Sequence, residues 1–183
     1  MEKRATYSVD IAGVHRELTL FQIKPGLRIA ILNILGDTEL TQACAKALAE
    51  KLANTPCDVL VTAEAKSIPL AYALSVEMKK PYVILRKAYK PYMGEALQHE
   101  TMSITTGKAQ TLYLDEKDLE LMQGKNVVII DDVISTGSTL QAMRQIVEKA
   151  GSKISAEAAI FTEGEEAKWA GIISLGHLPV FCD

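Results

Sequence analysis

Three cysteines, Cys44, Cys57 and Cys182, are scattered along the chain with no Cys-x-x-Cys pair, so neither a disulfide framework nor a cysteine zinc site is indicated. No window reaches the ~18 consecutive apolar residues of a membrane span. The opening residues Met1-Glu2-Lys3-Arg4-Ala5-Thr6-Tyr7 lack the apolar core of a secretory signal. A cytoplasmic protein with free thiols and no membrane association is expected. A formal net charge of −3 and the want of a basic arm give no pull toward nucleic acid. Aromatic residues are only 5% of the chain, against 48% hydrophobic residues overall, which describes an aliphatic α/β core. No internal repeat, low-complexity tract or Gly-x-x-x-x-Gly-Lys-Ser/Thr loop occurs, which disfavours solenoids and P-loop nucleoside triphosphatases. His15, His99 and His177 each lack a second histidine or carboxylate at metal-ligand spacing and read as ordinary side chains.

What is present centres on residues 127–151. Val127-Val128-Ile129-Ile130 reads as a strand buried on both faces, the pattern of a parallel sheet covered by helices. Asp131 and Asp132 follow, then Val133-Ile134 and the loop Ser135-Thr136-Gly137-Ser138-Thr139. Leu140, Met143, Ile146, Val147 and Ala150 share one helical face, and Gly151 ends that helix. A loop opening a helix at the C-terminal edge of a parallel strand offers free backbone N–H groups backed by the helix dipole, which is a phosphate site. The hydroxyls add donors, and Gly137 permits close approach or a positive φ. Two carboxylates beside a phosphate cradle suit sugar hydroxyls or a hydrated Mg²⁺, since they repel the phosphate itself. The three together point to a phosphorylated sugar.

A second strand, Asp58-Val59-Leu60-Val61-Thr62, leads through Ala63-Glu64-Ala65-Lys66-Ser67 into a helix from about Ile68 to Met78, so Lys66 stands at another candidate anion site. A third strand, Pro81-Tyr82-Val83-Ile84-Leu85, ends in Arg86-Lys87-Ala88-Tyr89-Lys90, the densest positive cluster on the chain.

Val127 to Leu140 resembles the phosphoribosyl-pyrophosphate (PRPP) signature of type I phosphoribosyltransferases: apolar strand, acidic pair, then a Ser/Thr/Gly loop. The resemblance runs over nearly the whole chain. It implies an α/β fold with a mostly parallel central sheet flanked by helices, covered by an N-terminal hood. A single domain over 1–183 is expected, with 1–36 as hood and 57–183 as PRPP-binding core. By resemblance, Asp131 and Asp132 contact the ribose hydroxyls directly or through the water of bound Mg²⁺, and Ser135, Thr136, Gly137, Ser138 and Thr139 hold the 5-phosphate. Ala65 and Lys66 would bind pyrophosphate in a loop that often carries a cis peptide, although Ser67 stands where glycine is common. Arg86, Lys87 and Lys90 match an Arg-Lys-x-x-Lys run that binds pyrophosphate and often reaches a neighbouring subunit, so a homodimer is implied. The hood would place Leu27 and Arg28 at the purine.

Around these lie an N-terminal pair of strands about Ala12-Gly13, a Lys24-Pro25-Gly26 turn, and a run from Leu27 to Leu35. A helix capped by Asp37 or Thr38 continues to about Leu52. Glycosyl transfer must exclude water, and the resemblance places a catalytic lid in 91–117, with 102–107 and 110–114 as paired strands and Thr105 at the catalytic position usually held by glutamate. Ile154–Phe161 reads as a strand, Glu163–Trp169 as a short exposed helix or loop, and Leu178–Phe181 as a closing strand. The expected reaction is transfer of phosphoribose from PRPP to a purine with Mg²⁺. Adenine is the first base, from hood and tail, and xanthine, hypoxanthine or guanine the rival, from Thr105. A non-catalytic PRPP sensor is the reading from another class.

Overall fold

The computed structural model describes residues 4–102 and 109–182, so Thr105, with the rest of 103–108 of the expected lid, lies outside the described residues. The chain runs β1 (Thr6–Ile11), β2 (Val14–Lys24), β3 (Leu27–Ile31), α1 (Thr38–Leu52), β4 (Val59–Ala63), α2 (Ile68–Met78), β5 (Tyr82–Leu85), β6 (Leu97–Met102) and β7 (Ala109–Leu114). It continues with α3 (Leu119–Met122), β8 (Asn126–Ile134), α4 (Ser138–Lys149), β9 (Lys153–Glu163), β10 (Ile173–Leu178) and β11 (Val180–Cys182). Five strands form one parallel sheet in the order β10-β9-β8-β4-β5. This is the expected α/β arrangement, a parallel central sheet flanked by helices.

The two faces of β8 explain its unbroken apolar run. Val128 and Ile130 pack on one side with Leu48 and Cys44 of α1 and Leu70 and Leu74 of α2, while Val127 and Ile129 pack on the other with Met143, Ile146 and Val147 of α4. A strand covered twice needs apolar residues at every position rather than every second one. The leucines of α1 recur at Leu40, Leu48 and Leu52, four or eight residues apart, so one stripe faces the sheet. Asp37 caps α1 by accepting from the Leu40 N–H at 3.1 Å.

The N-terminal strands form a separate antiparallel sheet, β1-β2-β3-β11, with the C-terminal strand closing its edge. Arg16 ties it to α1, donating to both oxygens of Asp37 at 2.7 and 2.8 Å and to Glu39 at 2.8 Å. Pro179 divides the expected closing strand in two, because a residue without an N–H cannot continue the ladder: β10 stays in the parallel sheet and β11 leaves it to pair with β3.

Two boundaries differ from expectation. The strand paired with β7 is Leu97–Met102 rather than 102–107, its register running Leu97↔Leu114 to Met102↔Ala109. Polar Gln98, His99, Glu100 and Thr101 obscured it, since the hairpin's apolar anchors are Leu97 and, on the partner strand, Leu112 and Leu114, which pack in the core with α4, while an Arg86–Tyr113 bridge joins it to the end of β5. The Glu163–Trp169 stretch is not exposed throughout: Glu163 ends β9, and Trp169 is buried beneath the loop after β8.

Candidate active site

Both aspartates lie within β8 rather than after it, and alternation turns their side chains to different faces at the carboxyl edge of the sheet. Strands β4, β5, β8 and β9 all end on this edge, where open parallel sheets bind ligands. Asp132 is buried and Asp131 half-buried. The Ser67 hydroxyl stands between them, 2.7 Å from Asp131 Oδ1 and 3.0 Å from Asp132 Oδ1. The Asp132 N–H points at Asp131 Oδ1 (2.9 Å) and at Ser67 Oγ (3.0 Å). Lys66 Nζ is 2.8 Å from Asp132 Oδ2, an ion contact without the alignment of a hydrogen bond, so that buried oxygen has no hydrogen-bond donor. Burial first, and then the neighbouring Asp132 charge, push the Asp131 carboxyl well above the usual range, against the pull of the Ser67 hydroxyl. Such a pair is short of positive charge.

The loop from Ser135 to Thr139 turns directly into α4, whose first residue is Ser138. Gly137 adopts φ 83°, and a Cβ there would lie 2.8 Å from Trp169 Cη2, so both conformation and space demand glycine. Thr136 Oγ1 and Ser138 Oγ are 3.1 Å apart, and Lys168 Nζ donates to the Thr136 carbonyl at 3.3 Å. The loop lines a small hollow of about 30 Å³ with Asp131, Val133, Ile134 and Leu140. Four of the expected phosphate residues, Ser135, Thr136, Gly137 and Thr139, therefore share one concavity with Asp131, whereas Ser138 and Asp132 do not line it.

On the other flank, the peptide Glu64–Ala65 is cis, as the resemblance suggested, and Ala65 is exposed at the turn. Glu64 accepts from Arg86 Nε at 2.7 Å and from the Lys87 N–H, so one carboxylate binds the loop after β4 to the loop after β5. Arg86 also has a side-chain hydrogen bond with Tyr92, so two neighbours fix its guanidinium. Lys87 and Lys90 are exposed, and no acidic partner contacts either side chain among the described residues. Leu27 and Arg28 sit elsewhere, in the hood sheet opposite Cys182 and Phe181 of β11. The hood sheet joins the parallel sheet where β11 follows β10, beside the point at which the Gly164 N–H donates to the Leu178 carbonyl.

Four residues at the site escaped the sequence reading. Ser67 was visible only as a departure from glycine, and Glu64 only as an acid beside a cation. Trp169 packs under Gly137 with its Nε1 donating to the Glu163 carbonyl at 3.0 Å. Glu163 is buried at the end of β9, and burial raises its carboxyl pKa while the charges of His177 and Lys66 pull it down. Because the raised value applies only to the folded state, ionised Glu163 costs stability above it, and the cost vanishes below the ordinary value of 4.5, where both states are protonated. Glu163→Gln is expected to melt higher than the parent at pH 8, with the difference shrinking as pH falls through the raised pKa. Melting curves from pH 4 to 8 check this, and a pH-independent difference would contradict it. Among the described residues no cluster of three or more metal-ligating side chains occurs.

A family model for the phosphoribosyl transferase domain matches residues 32–169. The chain is similar to the hypoxanthine/guanine phosphoribosyltransferase of Methanococcus vannielii, 38% identical over 115 residues, which are 63% of this chain and 58% of that protein. It is also similar to the purine biosynthesis transcriptional repressor PurR of Bacillus subtilis strain 168, 30% identical over 133 residues, 73% of this chain and 46% of that protein. The alignments thus span less than two thirds of either relative's own length. Among solved structures, adenine phosphoribosyltransferase from Thermoanaerobacter pseudethanolicus has a TM-score of 0.72 at 23% identity, covering 87% of this chain and 95% of that one. That likeness is one of fold.

Proposed function

Because the chain belongs to the phosphoribosyl transferase domain family, we propose that it transfers the 5-phosphoribosyl group of PRPP to a purine, giving a nucleoside monophosphate and pyrophosphate. The observation that carries this reading is the single edge on which an anion loop, an acidic pair and a cation loop meet, with Ser67 touching both aspartates and Lys66 touching Asp132. Phosphate, ribose and diphosphate need those three chemistries in that order.

In this reading the N–H groups and hydroxyls of 135–139 hold the 5-phosphate at the positive end of α4. Asp131 and Asp132 accept from the ribose hydroxyls and favour the positive charge that develops on the ring as its C1–O bond to pyrophosphate breaks and a C1–N bond to the base forms. Ala65, Lys66, Arg86, Lys87 and Lys90 receive the departing diphosphate. The buried, hydrogen-bond-free Oδ2 of Asp132 and the crowded Asp131 carboxyl make an oxygen donor pair that fits a hydrated Mg²⁺. Bound there, the ion would neutralise diphosphate charge. Leu27 and Arg28 face the base from the hood, and Thr105 belongs to the lid. The reading takes 1–183 as one domain, with 1–36 as hood and 57–183 as PRPP-binding core. It also takes the protein as a homodimer, in which exposed Lys87 and Lys90 extend toward the partner.

For the base, the 38% identity to a hypoxanthine/guanine enzyme favours a 6-oxopurine. Adenine, expected from hood and tail, is the second reading, supported by the shared fold of the adenine enzymes. The test is pyrophosphate release from PRPP and Mg²⁺ with adenine, hypoxanthine, guanine and xanthine supplied separately. Turnover with hypoxanthine or guanine is expected, and turnover with adenine alone reverses the choice of base. PRPP binding without turnover on any base would replace the enzyme by a sensor.

A further inference from the structure

Ser67 is the N-cap of α2, yet its hydroxyl makes no capping hydrogen bond to that helix. Ser67 is 2% exposed, and its backbone is fixed by the first turn of α2, whose Ala71 N–H donates to the Ser67 carbonyl at 2.9 Å. Its Oγ is the common neighbour of three groups on β8: Asp131 Oδ1, Asp132 Oδ1 and the Asp132 N–H, all within 3.0 Å. Terminal carboxylate torsions are broad, so an aspartate keeps one bearing only when donors fix it. The single hydroxyl proton serves one Oδ1 at a time, the shorter contact being to Asp131, while Oγ accepts from the Asp132 N–H; with Oγ removed, that shared donor is lost to both carboxylates and Asp131 Oδ1 keeps only the Asp132 N–H.

Building on the functional reading above, we infer that Ser67 is a positioning residue that locks both carboxylates at the bearing in which their outer oxygens meet the ring hydroxyls of a phosphorylated ribose. Lys66, one residue earlier, holds Asp132 by its other oxygen. The cation loop and the acidic pair are therefore one mechanical unit. Ser67 reaches the substrate only through the aspartates, and its loss should strike ribose recognition while sparing the phosphate loop, which shares no contact with it among the described residues.

The test uses the full chain with Ser67→Ala and Ser67→Gly, the second returning the small residue common at this place. A hydrogen bond to a charged group is worth at least about 1.5 kcal/mol, or roughly tenfold. Both variants should raise the KM for PRPP about tenfold, and weaken ribose 5-phosphate binding in calorimetry similarly. The KM for the base, and inhibition by inorganic phosphate, which needs only 135–139, should stay within about twofold. A PRPP KM within twofold of the parent in both variants overturns the inference, as does an equal rise in the KM for base and the inhibition constant for phosphate. A parent protein that binds no PRPP overturns the functional reading itself, and this inference with it; normal binding by parent and variants alike overturns only the role of Ser67.

Discussion

Asp132→Asn is expected to weaken PRPP binding about 10- to 100-fold while leaving the melting temperature close to that of the parent. The carboxylate is 6% exposed, is approached by Ser67 Oγ at 3.0 Å, and faces Lys66 at 2.8 Å. Asparagine keeps its shape and one acceptor oxygen. It loses the charge and the second acceptor that a ribose hydroxyl or metal-bound water would use, and hydrogen bonds to charged groups are worth about 1.5–3 kcal/mol. The fold is spared for a compensating reason: neutralising a buried carboxylate removes its desolvation cost, and Lys66, already partly exposed, turns to water. Calorimetric titration with PRPP and Mg²⁺, beside thermal melts, checks both halves, and parental affinity in the variant would sink the assignment of the acidic pair.

Gly137→Ala should be the most damaging single methyl group in the site. At φ 83° an L-residue is strained, which typically costs about 1–3 kcal/mol. The new Cβ would in addition stand 2.8 Å from the Trp169 ring, which is buried and anchored by its indole N–H. A loss of about 2 kcal/mol lowers the melting temperature of a chain this size by about 4–8 °C. The loop itself must shift to relieve the contact, so its N–H groups no longer converge and PRPP affinity falls with stability. Adding Trp169→Leu relieves the clash and leaves the φ strain, so the double variant should recover part of the loss; such non-additivity is the signature of direct contact. Equal melting of Gly137→Ala and the parent would refute the account.

The loop proposed for the phosphate was legible as a strand-to-helix turn because its pattern is local. Strand, acidic pair, Ser/Thr/Gly turn and amphipathic helix are consecutive in 127–151, and backbone geometry alone turns that order into a cradle. The parallel sheet was legible for a similar reason, since residues buried on both faces leave no alternation to misread. The hairpin boundary at 97–102 was not, because the run 98–101 is polar and carries no periodic signal while the apolar anchors Leu112 and Leu114 lie on the partner strand. Nor could any pattern show that Glu163 and Trp169 are buried, since their cover comes from segments distant in the chain.

Length, apolar periodicity and the resemblance carried by the 127–140 run were thus enough to determine the fold class and to single out the sheet edge proposed for a phosphorylated sugar. Tertiary structure alone decided how those residues are held. Ser67 meets Asp131 and Asp132 across 64 and 65 residues of chain. Glu64 fixes Arg86 across 22, and Trp169 fills the space beneath Gly137. Motifs are written by neighbours in sequence, whereas the bearing of a carboxylate is set by whichever donor the folded chain brings within 3 Å, and only packing selects that donor.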